Sequence, residues 1–581
     1  SDAAVRTAAL GALAEAELSD EEATKTLRLA LTDDNATVRR AAVDGLGTLT
    51  DTLITDLQRA SDDPAAQVRY SALRVLARHG DTQALQQLEQ QLRDPGPERP
   101  MALAALAEGG HLSGAQLQTW LGADDADTLR AALDALPTKE PTPWRRLAQL
   151  LLSPAVRGNA RDALRRCARQ DPEGMLALCR DETLPPRHRA HLVRLLAGVD
   201  HGQVHAALVD LSLARDERLR GAAVAALLSR RRHVSTPMAN QTIDAGLTTE
   251  LSAAETRQQQ IRALGDGDDG LLGEALQQRQ SQSLDRALMW CDLGHGNLAH
   301  RWLTDSLQGD DPRRRGAALE LLDEVLDHEH ARRLLALLET GGNDTRHDPI
   351  PVLRSLVADE DAWLRAGAVR AIGQRHVSIL ASCVGTALRD DDSRVREAAL
   401  EAVVDLSGVT TIPAVDDVLQ DADYVRDNPL CPRITNPPPP GTRAMPLSTF
   451  EKVFFLRSVP LFSPLTGEEI SALAQIVEEQ DLTAGDQFIT RGEEGDCLYV
   501  VVEGQARIDL ITTQRHLGPR EVIGELAILA HRPRSADCFA DTDMLLLRIA
   551  RDPFWELLET RPEITMQIMK VLVERYVPED A

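Results

Sequence analysis

A motif of the form Val/Leu-Arg-x-x-Ala returns along most of this chain, at multiples of about thirty residues through its first four copies. Val38-Arg39-Arg40-Ala41-Ala42 and Val68-Arg69-Tyr70-Ser71-Ala72 stand 30 positions apart. Leu129-Arg130-Ala131-Ala132 follows two periods later, and Leu219-Arg220-Gly221-Ala222-Ala223 three periods beyond that. The series resumes at Arg315-Gly316-Ala317-Ala318, Leu364-Arg365-Ala366-Gly367-Ala368 and Val395-Arg396-Glu397-Ala398-Ala399. Acid-rich turns precede the copies, among them Asp33-Asp34-Asn35, Asp62-Asp63-Pro64, Asp310-Asp311-Pro312 and Asp390-Asp391-Asp392. Such acids cap the following helix and favour its positive end. The small residues let neighbouring helices approach closely, and apolar positions such as Val43 and Leu46 recur at helical spacing. A chain written this way folds as stacked helix pairs, each unit stable against its neighbours rather than alone.

A thirty-residue unit of helix, acidic turn and Val-Arg-x-x-Ala helix resembles the HEAT repeat. The resemblance covers residues 1–420 and implies an all-α solenoid that meets a protein partner on its surface. Two irregularities interrupt it. Asp2–Ala9 reads as the second helix of a repeat whose first helix is missing. With Ser1 where a methionine would start a chain, this is expected of a fragment of a longer protein. Over residues 232–300 the period blurs. There Gly265-Asp266-Gly267-Asp268-Asp269-Gly270 resembles a calcium loop but has glycine in place of the third ligand and no closing glutamate. A solvated loop between helices is expected instead.

The 581 residues exceed what one core accommodates and predict several domains. A net charge of −26 opposes a phosphate backbone, so nucleic acid is not expected as a partner. Seven scattered cysteines without a Cys-x-x-Cys pair read as reduced, buried thiols of a cytoplasmic protein. No run of apolar residues is long enough to span a bilayer. His201 and His205 have the spacing of a helical zinc pair, but no glutamate follows His201 and no third ligand is evident, so capping or surface roles are expected. The tryptophans Trp120, Trp144, Trp290, Trp302 and Trp363 are assigned to the repeat core. There is no phosphate-binding loop ending in Gly-Lys, no Gly-x-Ser-x-Gly elbow and no paired cysteine and histidine. No enzyme, no metal site and no cofactor is expected.

Residues 421–446 break the repeat texture. Pro437-Pro438-Pro439-Pro440 favours extended polyproline II, a semi-rigid linker. From residue 447 to 581 the pattern changes again. Amphipathic helices are predicted at Thr449–Val459 and Glu468–Glu479. Short aliphatic strands follow at Asp486–Arg491, Cys497–Glu503, Gln505–Ile511 and Asp543–Ile549, separated by glycine turns. Helices return at Pro553–Glu559 and Pro562–Tyr576. Strands at this spacing predict a β-barrel or jelly roll, here flanked by helices.

This module resembles the cyclic-nucleotide-binding domain. The motifs are Gly485-Asp486, Arg491-Gly492-x-x-Gly495-Asp496-x-Leu498-Tyr499, Glu503-Gly504, Leu517-Gly518, Gly524-Glu525-Leu526-Ala527 and Pro533-Arg534-Ser535-Ala536, in that order. Gly524 admits close backbone approach, and a short helix starting there offers free N–H groups to an anion. Arg534 presents a planar donor fork suited to a phosphodiester. Glu525 can accept from a ribose hydroxyl, and Ser535 can donate to the phosphate. By resemblance these are the family's roles, and the implied site is Gly524, Glu525, Leu526, Ala527, Arg534, Ser535 and Ala536, with cAMP or cGMP as ligand. Tyr576, or Met566 and Met569, would close over the base. Three positions depart from the family: Arg520 stands where a glycine is usual, Asp537 where a small residue is common, and Arg507–Leu517 is short.

The reading that follows is a non-enzymatic sensor whose jelly roll binds a cyclic mononucleotide and modulates the repeat scaffold. An alternative comes from segments such as Gly309–Arg313, Ala318–Asp323 and Met445–Val453. They resemble the soluble C-terminal region of bacterial nucleotide-exchange-type translocases, which carry HEAT and cyclic-nucleotide-binding domains after a membrane domain. In that case the chain is a regulatory tail tethered to the inner membrane through a missing N-terminal region. A second alternative is a protein-interaction scaffold with an empty nucleotide pocket.

Overall fold

The computed structural model describes residues 3–15, 20–47, 54–136, 142–151, 153, 155–231, 238–265, 270–295, 298–309, 311–338, 348–435, 446–510, 513–525, 528, 533–560 and 562–576. The chain forms two compact units, Ser1–Pro237 and Met238–Ala581.

The first unit is helical throughout, from Ala3–Glu15 to Glu217–Arg231. Its geometry explains the repeated arginine. The guanidinium of Arg39 donates to Asp63 at 2.8 Å, one repeat further along, and to the carbonyls of Asp33 and Asp34 in its own acidic turn. Arg69 does the same with Glu98, at 2.5 Å, and with the carbonyls of Asp63 and Pro64. In the second unit Arg365 joins Asp390 to the Asp359 and Glu360 carbonyls, and Arg396 joins Asn428 to those of Asp390 and Asp391. One side chain therefore braces its own turn and fastens the next repeat, through charge-assisted forks in the acidic cases. The hydrogen bond from Arg39, more than burial opposes it, holds the Asp63 carboxyl below the usual range. The acids also cap as expected: Asp125, Asp361 and Asp392 accept from the first-turn amides of their helices. The alanines of the motif, including Ala42, Ala72, Ala368 and Ala399, are fully buried where helices meet.

In the second unit the blurred region is an antiparallel pair of long helices, Asn240–Leu264 and Gly270–His295. They span 25 and 26 residues, which is why a thirty-residue period disappears there. Trp290 fills the groove left by Gly246, where a Cβ would lie 2.2 Å from the indole. Buried Glu250 accepts from Arg286 at 2.9 Å and fixes the register. The connecting residues 266–269, which hold most of the calcium-loop resemblance, lie outside the described residues.

Residues 421–435 differ from the extended linker expected there. Ala422–Asp427 and Cys431–Thr435 are helical, and Asn428, Leu430 and Cys431 are buried. Asn428 occupies the place of the next repeat's acid, receiving Arg396 at 3.0 Å, so this segment closes the array. The four prolines Pro437–Pro440 lie outside the described residues. Trp302 also departs from expectation: it is partly exposed, whereas Trp290 and Trp363 are core.

Thr449–Arg457 and Gly467–Ala474 are short helices, each opened by a capping box, Ser448 with Glu451 and Thr466 with Glu469. Eight strands follow: β1 Val477–Leu482, β2 Gln487–Ile489, β3 Cys497–Glu503, β4 Ala506–Asp509, β5 Gln514–Leu517, β6 Val522–Ile523, β7 Asp537–Ala540 and β8 Met544–Ala550. They form two antiparallel four-stranded sheets, β1-β8-β3-β6 and β2-β7-β4-β5, the expected jelly roll. Helices Arg551–Thr560 and Pro562–Tyr576 complete it. The helix predicted over 468–479 ends at Ala474, because Val477-Glu-Glu-Gln-Asp-Leu482 is edge strand β1 paired with β8. Its glutamates favour helix locally, and strand pairing overrides that preference.

The jelly roll does not hang from a free tether. One apolar cluster runs from Leu264 and Leu271 through Trp363, Phe450 and Leu473 to Leu498 and Phe554. Trp363 stacks on Phe450 with centroids 5.1 Å apart, and Arg370 lies 5.0 Å over Phe450 and 4.8 Å over Phe454. Arg279 of the long hairpin bridges Asp361 and Glu468, with its Nη2 2.7 Å from the Glu468 carboxylate. All three are buried or nearly so. Removing one member of such a network strands charge in a low-dielectric interface. Glu468→Ala is expected to lower the stability of the second unit by about 3 kcal/mol in urea denaturation.

Glu401 supplies a pH signature. Burial pushes its carboxyl above the ordinary range, outweighing the Ser448 hydrogen bond and the attraction of Arg370, whose Nε donates at 3.3 Å. A raised folded-state value means that the folded form takes up the proton first. The stability it costs is therefore fully present at high pH and is recovered as pH falls through the folded value toward the ordinary carboxylate range. Glu401→Gln should stabilise the second unit at pH 8, with the gain over wild type shrinking toward pH 5 in paired melting curves.

Candidate functional site

The stretch following β6 is held at both ends by main-chain pairing. β6 pairs with β3 through Tyr499 opposite Ile523. At the other end, the Gly492 amide donates to the Arg534 carbonyl at 2.9 Å, and the Arg534 amide donates to the Glu493 carbonyl at 2.8 Å. Glycines at 492 and 524 have φ of +87° and +89°, conformations that side chains resist. The Ile528 amide donates to the Gly524 carbonyl at 3.3 Å, a single helical turn. Ile528 is fully buried, and its carbonyl accepts the Trp555 indole N–H at 3.0 Å.

Arg534 lies inside this frame and is 7% exposed. Its Nη2 donates to the Cys497 carbonyl at 2.7 Å and touches the Cys497 sulfur at 3.3 Å. Asp496 stands 3.7 Å away and is largely exposed. Burial pushes the Asp496 carboxyl up, but hydrogen bonding with Cys497 and the charges of Arg548 and Arg534 leave it below its ordinary value. The other terminal nitrogen of Arg534, Nη1, is buried and has no hydrogen-bond partner. It points at Gly524, where a Cβ would lie 2.2 Å from it. A buried guanidinium N–H without an acceptor costs roughly 1–3 kcal/mol or more. An anion placed over Gly524 recovers that cost and faces a cation held from behind.

The other predicted residues distribute around this pair. Glu525 is buried beside Gly524, Ser535 is exposed, and Ala536 is buried at the start of β7. Leu526 and Ala527 lie outside the described residues, as does the side chain of Tyr576. Met566 and Met569 are exposed on the final helix. Asp537 does not face the anion position: its carboxylate accepts from the Arg491 amide at 2.9 Å and the Gln487 side chain at 3.1 Å, fastening β7 to the neighbouring turn. Arg520 adopts φ +74°, so the family's glycine has a conformational reason that this arginine violates.

Sequence reading missed Cys497. Its carbonyl and thiol orient Arg534, yet a lone cysteine opening an aliphatic strand carries no such signal. Burial pushes this thiol, and that of Cys538, upward, Cys538 to about 12. Both are neutral interior groups. Elsewhere, His201 caps the Gly202–Ser212 helix, as expected, by accepting from the Gln203 amide. Among the described residues one group, Asp244, Asp327 and His330, has donor atoms close enough for a metal. There His330 Nδ1 is already engaged by Asp327 at 2.5 Å, and both acids are exposed.

Two segments of the chain match known families. Residues 479–561 match the cyclic nucleotide-binding domain family, and residues 350–428 match HEAT repeats. A CRP-like cAMP-activated global transcriptional regulator of Mycobacterium tuberculosis is 28% identical over 124 residues, covering 20% of this chain and 54% of that protein. A cAMP-dependent protein kinase regulatory subunit of Colletotrichum orbiculare is 35% identical over 107 residues, covering 18% of this chain and 27% of that one. Among solved structures, the N-terminal domain of a transcriptional regulator from Streptomyces coelicolor is 32% identical. It covers 22% of this chain and 96% of that one, with a TM-score of 0.21. The chain thus spans between about a quarter and about half the length of these curated relatives. The class defined here is a helical repeat array with a cyclic nucleotide-binding domain.

Two substitutions test the geometry. Gly524→Ala places a methyl group against the Arg534 guanidinium at a positive φ, and should cost about 2 kcal/mol in urea denaturation. Arg520→Gly relieves a left-handed arginine and should raise stability by up to about 1 kcal/mol.

Proposed function

We propose that this chain is a non-enzymatic sensor in which a cyclic mononucleotide, cAMP or cGMP, binds the jelly roll and alters how the repeat array meets a protein partner. The observation that carries the reading is the unpartnered Nη1 of buried Arg534 facing the missing side chain of Gly524. A phosphodiester supplies the acceptor that this nitrogen lacks. Glu525, buried beside it, is the acceptor for the ribose hydroxyl, and Ser535 gives a further donor from the rim.

The route from site to scaffold is packing. Ile528 and Trp555 link the nucleotide segment to the Arg551–Thr560 helix, and Phe554 and Leu558 of that helix share the apolar cluster with Leu473 and Trp363. A ligand shifts such an assembly only by its differential affinity for two arrangements, so the signal is bounded by that difference. No helix among the described residues is long and apolar enough to cross a membrane.

Isothermal titration with cAMP and with cGMP tests the reading. One nucleotide should bind the wild-type chain. Arg534→Ala should weaken it by about 1.5–3 kcal/mol, the contribution of a charge-assisted hydrogen bond. Identical heats from both proteins, or no heat with either nucleotide, would defeat it.

A further inference from the structure

Charge is unevenly distributed in this chain. Met238–Ala581 carries 34 basic against 58 acidic residues, nearly all of the net −26. Residues 144–231 hold the reverse, 16 arginines against 9 acids and no lysine. Such asymmetry marks a surface that meets an oppositely charged partner.

The fold concentrates part of this charge on one helix and its neighbour. In Arg157–Gln170 the residues Ala160, Ala163, Leu164, Cys167 and Ala168 are buried, which turns Arg161, Arg165 and Arg169 outward at successive i,i+4 positions. Arg161 and Arg165 share one acid, Asp162, at 3.6 Å each, leaving the stripe positive. Arg194 is exposed on the Pro186–Leu195 helix, which lies against the Arg157–Gln170 helix and also carries His191, a group that feels the charges of Arg194, Arg157 and Arg161. Burial first, and then those arginines, push the His191 imidazole below its ordinary value, as expected inside a positive field. Arginines below the stripe add to the field. Arg146 and Arg166 donate to the Leu121 and Leu133 carbonyls, both at 2.7 Å, which satisfies their hydrogen bonds without cancelling their charge. This contrasts with Arg39, Arg69 and Arg365, which end on carboxylates.

We infer that Arg161, Arg165, Arg169 and Arg194 form a docking surface for an acidic segment of a partner protein, one that carries carboxylates at helical i,i+4 spacing. The inference rests on the reading above that the repeats meet a protein, and it specifies where and with what charge. A stripe at i,i+4,i+8 offers guanidinium forks about 6 Å apart, the spacing of glutamates on a facing helix. An extended polyanion such as duplex nucleic acid would meet the acidic remainder of the chain as well as this patch. A bilayer would find little to insert: between residues 144 and 231, Leu213 alone among the described large apolar side chains is exposed.

The test uses the full chain and three probes: a fluorescein-labelled 16-residue peptide of Glu and Ala with glutamates at i,i+4, a 16-base-pair duplex, and vesicles containing 30% phosphatidylserine. The peptide should bind, with affinity falling as salt rises. The triple substitution Arg161→Gln, Arg165→Gln, Arg169→Gln should weaken it at least tenfold. Arg194→Gln alone should weaken it severalfold, which keeps the test open if the triple variant fails to fold. Absence of peptide binding, unchanged binding by the variants, or tighter binding of duplex or vesicles would overturn the inference. Nucleotide titration of the same samples separates the two readings: loss of the peptide with nucleotide binding intact removes this surface and leaves the sensor standing.

Discussion

The arginine at the start of each repeat's second helix is the interaction on which most of the array depends. At Arg39, Arg69 and Arg365 the guanidinium satisfies two carbonyls of its own acidic turn while reaching an acid of the next repeat. A solenoid has only nearest-neighbour interfaces, so each junction must be specified locally. Apolar alanine contacts bring helices together but do not select one register from the next. The fork does, because it pairs with its acceptors in one geometry. Where the next acid is absent another acceptor takes its place: Asn428 receives the last fork, and the Ala155 carbonyl receives Arg130.

The same residue type performs different work where the long hairpin meets the jelly roll and inside the jelly roll itself. Arg279 is surrounded by Asp361 and Glu468, and its charge is used up in holding two elements together. Arg534 is equally buried, but its engaged nitrogen rests on the Cys497 carbonyl and thiol, and its other terminal nitrogen faces an emptied glycine position. The first arrangement is a structural joint. The second is half of an interaction, which the anion of the proposed ligand would complete. Because the joint and the site lie in helices and strands that share one apolar cluster, the jelly roll and the repeats from Met238 onward are packed as parts of one unit.

Much of this was legible in the sequence, for identifiable reasons. Repetition exposed the helical array, since the same small, apolar and charged positions recur wherever the same junction recurs. Ordered glycine motifs exposed the jelly roll, and the structure brings the Arg534 guanidinium against Gly524. What was hidden depends on partners distant in the chain. Edge strand β1 is rich in glutamate and looked helical, because only its pairing with β8 makes it a strand. The role of Cys497 follows from where Arg534 points, which no local pattern encodes. The packing of Phe450 on Trp363 joins residues 87 positions apart across a segment that composition presents as a spacer. The basic surface was masked by the total charge, which averages a positive region into an acidic chain.

The central claim is that Gly524 and Arg534 hold the phosphate of a cyclic nucleotide. Hydrogen exchange read by mass spectrometry, with and without saturating cAMP or cGMP, addresses it at the residues concerned. The account predicts slowed exchange for the amides of Gly524, Glu525 and residues 534–536 with one of the two nucleotides, and no slowing with the corresponding linear 5′-monophosphate. Unchanged exchange over this segment at saturating nucleotide, or protection confined to some other part of the chain, would contradict it.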